Sequence, residues 1–168
     1  MNPGQIFLSY GRKDDETWVE RLRDYLITKK LPVWWDRRCM ESRGRTFFQE
    51  LRDAIHDSER VLLVVGPAAL QSEYVQSEWQ HALLYSRAIL PLLRIGDYQE
   101  IPPEYALFHS VDCRAARDER GVFEEILARL ETPVPPLGEL HGIPPLPPSY
   151  IPRADFFDAL TSAVMADL

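Results

Sequence analysis

The feature that most constrains this chain is Val61-Leu62-Leu63-Val64-Val65, five aliphatic residues in a row, closed by Gly66-Pro67. A strand with one wet face alternates apolar and polar residues. An unbroken run has no wet face, so it marks a strand covered on both sides, as inside a parallel sheet. Parallel neighbours are joined by crossovers, usually helices.

The rest of the chain supplies them. Residues 6–10 form a short apolar run ending in polar residues, a second buried-strand candidate. Asp14 and Asp15 are placed to open and cap a helix whose apolar positions, Trp18, Leu22, Tyr25 and Leu26, keep helical spacing through Lys30. Pro32 breaks it, and residues 33–35 begin another strand. Residues 37–45 read as an arginine-rich loop around Gly44. A helix is expected over residues 46–57, with Phe47, Leu51, Ala54 and Ile55 as its stripe. Residues 66–72 read as a loop, with Ser72 capping a helix that turns Val75, Trp79, Ala82 and Leu83 inward. A strand over 88–93, a turn-rich stretch over 96–105, a short strand near 110–113 and a helix through Val122, Phe123, Ile126, Leu127 and Leu130 complete the pattern. Strand and helix alternate about five times. The expected fold is therefore α/β: a doubly wound, five-stranded parallel sheet with helices on both faces, in three layers. Ligands of such sheets sit at the carboxyl ends of the strands, where strand order switches.

Charge narrows the partners. The 168 residues carry 26 acidic and 19 basic side chains, a formal net charge of −7. That surface repels a nucleic-acid backbone and argues against general DNA or RNA binding. Cys39 and Cys113 lack metal-site spacing and are too few for a disulfide framework, so a reduced, cytoplasmic compartment fits. No apolar run reaches the length of a membrane helix, and the first residues do not read as a signal peptide.

From residue 132 to 152 the composition changes: eight of 21 residues are proline, as in a semi-rigid spacer. A last helix is expected within residues 153–168, with Phe156, Phe157, Leu160 and Val164 on one side. The expected organisation is a domain over 1–131, a linker over 132–152 and that helix.

Several chemistries are absent as motifs. There is no phosphate-binding glycine loop ending in Lys-Ser/Thr, no dinucleotide fingerprint after the first strand and no Gly-x-Ser-x-Gly elbow. The histidines are scattered, and no metal site is expected. Glu78 stands out instead. It lies three residues after Val75 and four before Ala82, at the border of the buried stripe, on the helix that follows the central strand. A carboxylate there is open to partial desolvation, which pushes a carboxyl pKa upward. The competing reading is a solvated flank residue.

Five segments, in order, carry a family resemblance. IFLSY followed by charged residues resembles the first motif of TIR domains. PVWWD resembles their second strand with its terminal aspartate, here Asp36, and the loop containing Gly44 resembles their BB loop. VLLVVGPAALQSEYVQSEWQHAL resembles their third strand and the helix bearing Ser, two residues, Cys, two residues, Glu, with Ser72 and Glu78 in register. LPLL and HSVDC resemble the last two strands. The resemblance covers residues 5–131 and implies a flavodoxin-like fold. Val75 stands for the cysteine, Tyr74 for an aromatic that is often tryptophan, Arg43 for the proline before the loop glycine, and Gly66 for a frequent serine.

The resemblance implies an NAD+ nucleosidase, hydrolase or cyclase, with Glu78 as the catalytic carboxylate, NAD+ as substrate and no cofactor. It also implies an immune or antiphage-type role. Substrate contacts are expected from Tyr10, Arg12, Trp35, Asp36, Phe47 and Ser72, with Arg12 facing phosphates and Tyr10, Trp35 and Phe47 offering rings. For Arg12 the competing reading is a solvated loop arginine, and for Trp35 and Phe47 it is core packing. Arg37, Arg38, Arg43, Gly44 and Arg45 are the expected self-association loop, or else a hydrated one. The proline run, Tyr150 and Pro152-Arg153 resemble the lead into an NB-ARC or STAND nucleotide-binding module. The rival functions are a TIR adaptor acting only through TIR–TIR contacts, and a nucleoside deoxyribosyltransferase-like enzyme.

Overall fold

The run at residues 61–65 lies in β3 (Ser58–Val65), the central strand of the sheet. The computed structural model describes residues 4–35 and 45–133, without the side chains of 45–48; these residues belong to one compact unit. The other elements are β1 (Gln5–Tyr10), α1 (Arg12–Thr28), β2 (Val33–Trp34), α2 (Arg45–Asp57), α3 (Pro67–Gln71), α4 (Glu73–Leu84), β4 (Ala88–Leu93), α5 (Pro103–Ala106), β5 (Val111–Asp112) and α6 (Glu119–Glu131).

All strand pairs are parallel, in the order β2-β1-β3-β4-β5. This is the expected flavodoxin-like α/β sheet, and its order reverses between β1 and β3. The aliphatic run divides by parity, because successive strand residues face opposite sides. Leu62 and Val64 join Ile6, Leu8, Leu92 and the inner faces of α1 and α6 in one core. Val61, Leu63 and Val65 join Phe7, Leu93 and the inner faces of α2 and α4 in the other. The two tryptophans of PVWWD split the same way. Trp34 stacks on Phe7 with ring centroids 4.6 Å apart, and Trp35 packs against the α1/α6 core.

Two local expectations change. The helix expected to open at Asp14 begins at Arg12 instead, but breaks at Asp15, whose backbone is extended (φ −160°, ψ 70°). Asp15 then caps the long part, its Oδ1 accepting from Trp18 N at 3.0 Å. The stretch 66–72, expected as a loop, contains the single turn α3. Pro67 at its start has the φ a helix needs and lacks the N–H that would go unsatisfied there.

The arginine-rich loop is described only from Arg45, which is the first residue of α2 rather than the end of the loop. Asp36, Arg37, Arg38, Arg43 and Gly44 lie outside the described residues, as do the proline-rich segment beyond 133 and the expected terminal helix.

Candidate active site

Helix α4 buries Val75, Glu78, Trp79 and Ala82, spaced i, i+3, i+4, i+7. Glu78 is thus inside the stripe, not at its border, and is only 4% exposed. A carboxylate so placed is costly unless hydrogen-bonded. Its Oε2 accepts a bond from the hydroxyl of Ser9, and Trp79 Nε1 donates to the same Ser9 oxygen at 2.9 Å. Ser9, 1% exposed, is the penultimate residue of β1 and shares a face with Phe7, toward α4. Its partner across the ladder is Leu63 of β3. The bonded Trp79–Ser9–Glu78 chain therefore ends beside the carboxyl edge of β1 and β3, at the switch in strand order.

The loops at this edge are held by two further acids. Asp14, in the first turn of α1, accepts from Ala68 N (2.8 Å) and Ala69 N (2.9 Å), satisfying the first turn of α3. Arg94, just past β4, sends Nε (2.9 Å) and Nη2 (2.6 Å) to Asp15 Oδ2 and Nη1 to the Cys113 carbonyl (2.7 Å). Its guanidinium also lies 5.2 Å from the Trp18 ring centre. The carboxyl ends of β1, β4 and β5 are thereby joined through one side chain.

The other expected site residues are distributed unevenly. Ser72 caps α4, its hydroxyl accepting from Val75 N at 3.3 Å, in the turn that leads to Glu78. Tyr10 and Trp35 pack on the α1/α6 side of the sheet, so the sheet separates their rings from Glu78. The Tyr10 hydroxyl donates to Glu16 at 3.2 Å. Burial pushes its phenol up to about 12, the Glu16 carboxylate adding to the effect, while the Trp35 indole and the Arg12 charge oppose it. Tyr10 is therefore a neutral donor at physiological pH. Trp35 lies under the guanidinium of Arg23, 4.8 Å from its ring centre. Arg12 is exposed at the first turn of α1. Phe47 falls in the first turn of α2. Among the described residues no cluster of His, Cys, Asp and Glu is arranged to hold a metal ion, and no helix is long and apolar enough to cross a membrane.

Ser9, Trp79, Asp14 and Arg94 were not singled out as site residues by sequence. Ser9 carried a signal: it is a hydroxyl inside a run destined for burial, and such a group needs a partner.

Residues 6–127 match the family model described as TIR domain. The chain belongs to the TIR-domain family. A search of curated proteins returns no match. Among solved structures, the TIR domain of a Toll-related receptor from Hydra magnipapillata is 23% identical, with a TM-score of 0.59 over 74% of this chain and 94% of that one. The TIR domains of the activated Roq1 resistosome, which recognises the pathogen effector XopQ, are 19% identical, with a TM-score of 0.61 over 76% of this chain and 99% of that one. The CMP N-glycosidase BcmB of Clostridium botulinum is 15% identical, with a TM-score of 0.55 over 74% of this chain and 98% of that one. At these identities the likeness is one of fold.

Proposed function

We propose that this TIR domain is an NAD+ nucleosidase in which Glu78 is the catalytic carboxylate. The observation that carries the reading is a glutamate 4% exposed, hydrogen-bonded at the switch point of a doubly wound sheet. A scaffold that acts only through its surface has no need to bury a carboxylate there. The CMP N-glycosidase among the structural neighbours supports the reading, since it pairs this fold with cleavage of an N-glycosidic bond in a nucleotide.

The chemistry suits one carboxylate. The bond between ribose C1′ and the nicotinamide nitrogen breaks, and its electron pair leaves with the ring as neutral nicotinamide. The ribose becomes oxocarbenium-like, and Glu78 stabilises that charge and holds the ribose hydroxyls. Water adds to C1′ and loses a proton to give ADP-ribose; attack by the adenine ring gives a cyclic product instead. Arg12 is proposed to meet the phosphates. Assembly through TIR–TIR contacts is proposed as the activating event, in a cytoplasmic immune protein with a nucleotide-binding module downstream. A solved heterodimer of the RPS4 and RRS1 TIR domains and the Roq1 resistosome support association as a mode of this fold.

The test is NAD+ consumption by concentrated wild type and Glu78→Gln, with products separated and weighed by mass spectrometry. Free nicotinamide from wild type alone is expected. No turnover by wild type, even when the domain is forced to cluster, transfers the function to the adaptor reading.

A further inference from the structure

We propose that Ser9, oriented by Trp79, is the positioning residue that sets the reacting orientation of Glu78. The inference rests on the nucleosidase reading for its kinetic consequence, but its geometry stands apart from that reading.

A serine hydroxyl has one hydrogen and two lone pairs, and its hydrogen swings freely unless neighbours fix it. An indole N–H donates only. Trp79 Nε1, 2.9 Å from Ser9 Oγ, therefore obliges that oxygen to accept on its side. The hydroxyl hydrogen is left for the other side, where Glu78 Oε2 accepts it. The chain of bonds has one direction, from indole to hydroxyl to carboxylate. Both donors are rigidly carried. Ser9 lies in β1 with β3 paired beside it, and Trp79, fully buried, is wedged edge-on against Tyr105 with ring centroids 5.4 Å apart. Glu78 is the flexible member, with three side-chain torsions, and neighbours Trp79 on α4. Without Ser9 its carboxylate loses a hydrogen bond that comes from the sheet. A carboxylate misplaced by about 1 Å costs on the order of 100-fold in rate.

Two measurements test this, one of them independent of turnover. Kinetics are compared for wild type, Ser9→Ala, Trp79→Phe, the double variant and Ser9→Thr, which restores a hydroxyl. Ser9→Ala is expected to lower kcat about 10- to 100-fold with KM changed less than about threefold. Ser9→Thr should recover part of the loss. Trp79→Phe should lower kcat alone, yet add little in the Ser9→Ala background, because its effect passes through Ser9. Additive losses, or losses of KM and melting temperature without kcat, overturn the proposal.

The second measurement is the indole N–H resonance of Trp79, assigned by its disappearance in Trp79→Phe. Glu78→Gln is expected to shift it in wild type and to leave it nearly unmoved in Ser9→Ala. Equal shifts in both backgrounds overturn the chain. A shift that requires Ser9, in a protein that cleaves no NAD+, upholds the chain and refutes the nucleosidase reading.

Discussion

Asp14 occupies the space that a side chain at Gly66 would need. A Cβ built on Gly66 would lie 2.6 Å from Asp14 Oδ2 and 2.7 Å from Cγ. Asp14 cannot swing away cheaply, because both its oxygens are bonded to Ala68 N and Ala69 N. The glycine that stands where the family often has serine is thus paired with an aspartate in the first turn of α1. Gly66→Ser should lower stability by roughly 1–3 kcal/mol, the usual cost of overpacking. The same change in Asp14→Ala should cost measurably less than in wild type. Urea unfolding of the four proteins checks this coupling; equal costs in both backgrounds refute it.

Arg94 is expected to resist conservative replacement. Its Nε and Nη2 share Asp15 Oδ2 while Nη1 holds the Cys113 carbonyl, a fork that one ammonium cannot reproduce. The side chains are 12% and 25% exposed, so the pair is shielded but not dry. Arg94→Lys and Arg94→Met should each destabilise by about 1–3 kcal/mol, with Lys recovering less than half of the Met loss. Chemical denaturation reads both numbers.

Asp112 should contribute stability that depends on pH. The Arg114 guanidinium bonded to it, aided by the Arg114 backbone N–H, holds its carboxyl below the ordinary value. A depressed folded pKa gives stability that is present above the unfolded carboxyl pKa and lost as pH falls through the folded value. Asp112→Asn should therefore be slightly less stable than wild type at neutral pH, the effect being small because solvent screens the pair. The difference should close in the acid range below the unfolded Asp pKa. Melting curves across pH measure it, and a gap that widens toward acid contradicts the assignment.

Cys113 should be inert in the folded protein. Burial pushes its thiol up to about 12, the Asp112 carboxylate assisting, and the residue is 2% exposed. The thiolate is the nucleophile, so alkylation needs unfolding. In a Cys39→Ser background, iodoacetamide at pH 8 should label Cys113 only at the rate of opening, and rapidly in denaturant. Prompt stoichiometric labelling of the native form would refute this.

Local pattern carried most of the fold. Residues 61–65 announced a strand covered on both faces, and Ser72 announced a helix start three residues before Val75, whose N–H it accepts. Where local pattern misled, a distant residue intervened. Residues 66–72 look like a loop, and α3 forms there with Asp14, 54 residues away, taking one of its first N–H groups. Glu78 looked like a border residue from its spacing to Val75 and Ala82; it lies inside the buried stripe of α4, where a hydroxyl on a different element meets its carboxylate.

The sequence by itself determined the alternation of strands and helices, the family, and the glutamate that the family resemblance selects, because burial periodicity and motif spacing are properties of neighbouring residues. Tertiary structure alone decided that Ser9 meets Glu78 across 69 residues, that Asp14 closes the first turn of α3, and that Tyr10 faces the opposite core. Those pairings depend on strand register and on where each helix settles against the sheet. Both are fixed by the packing of the whole core, where a shift of one residue in β1 would turn Ser9 away from α4 and Tyr10 toward it.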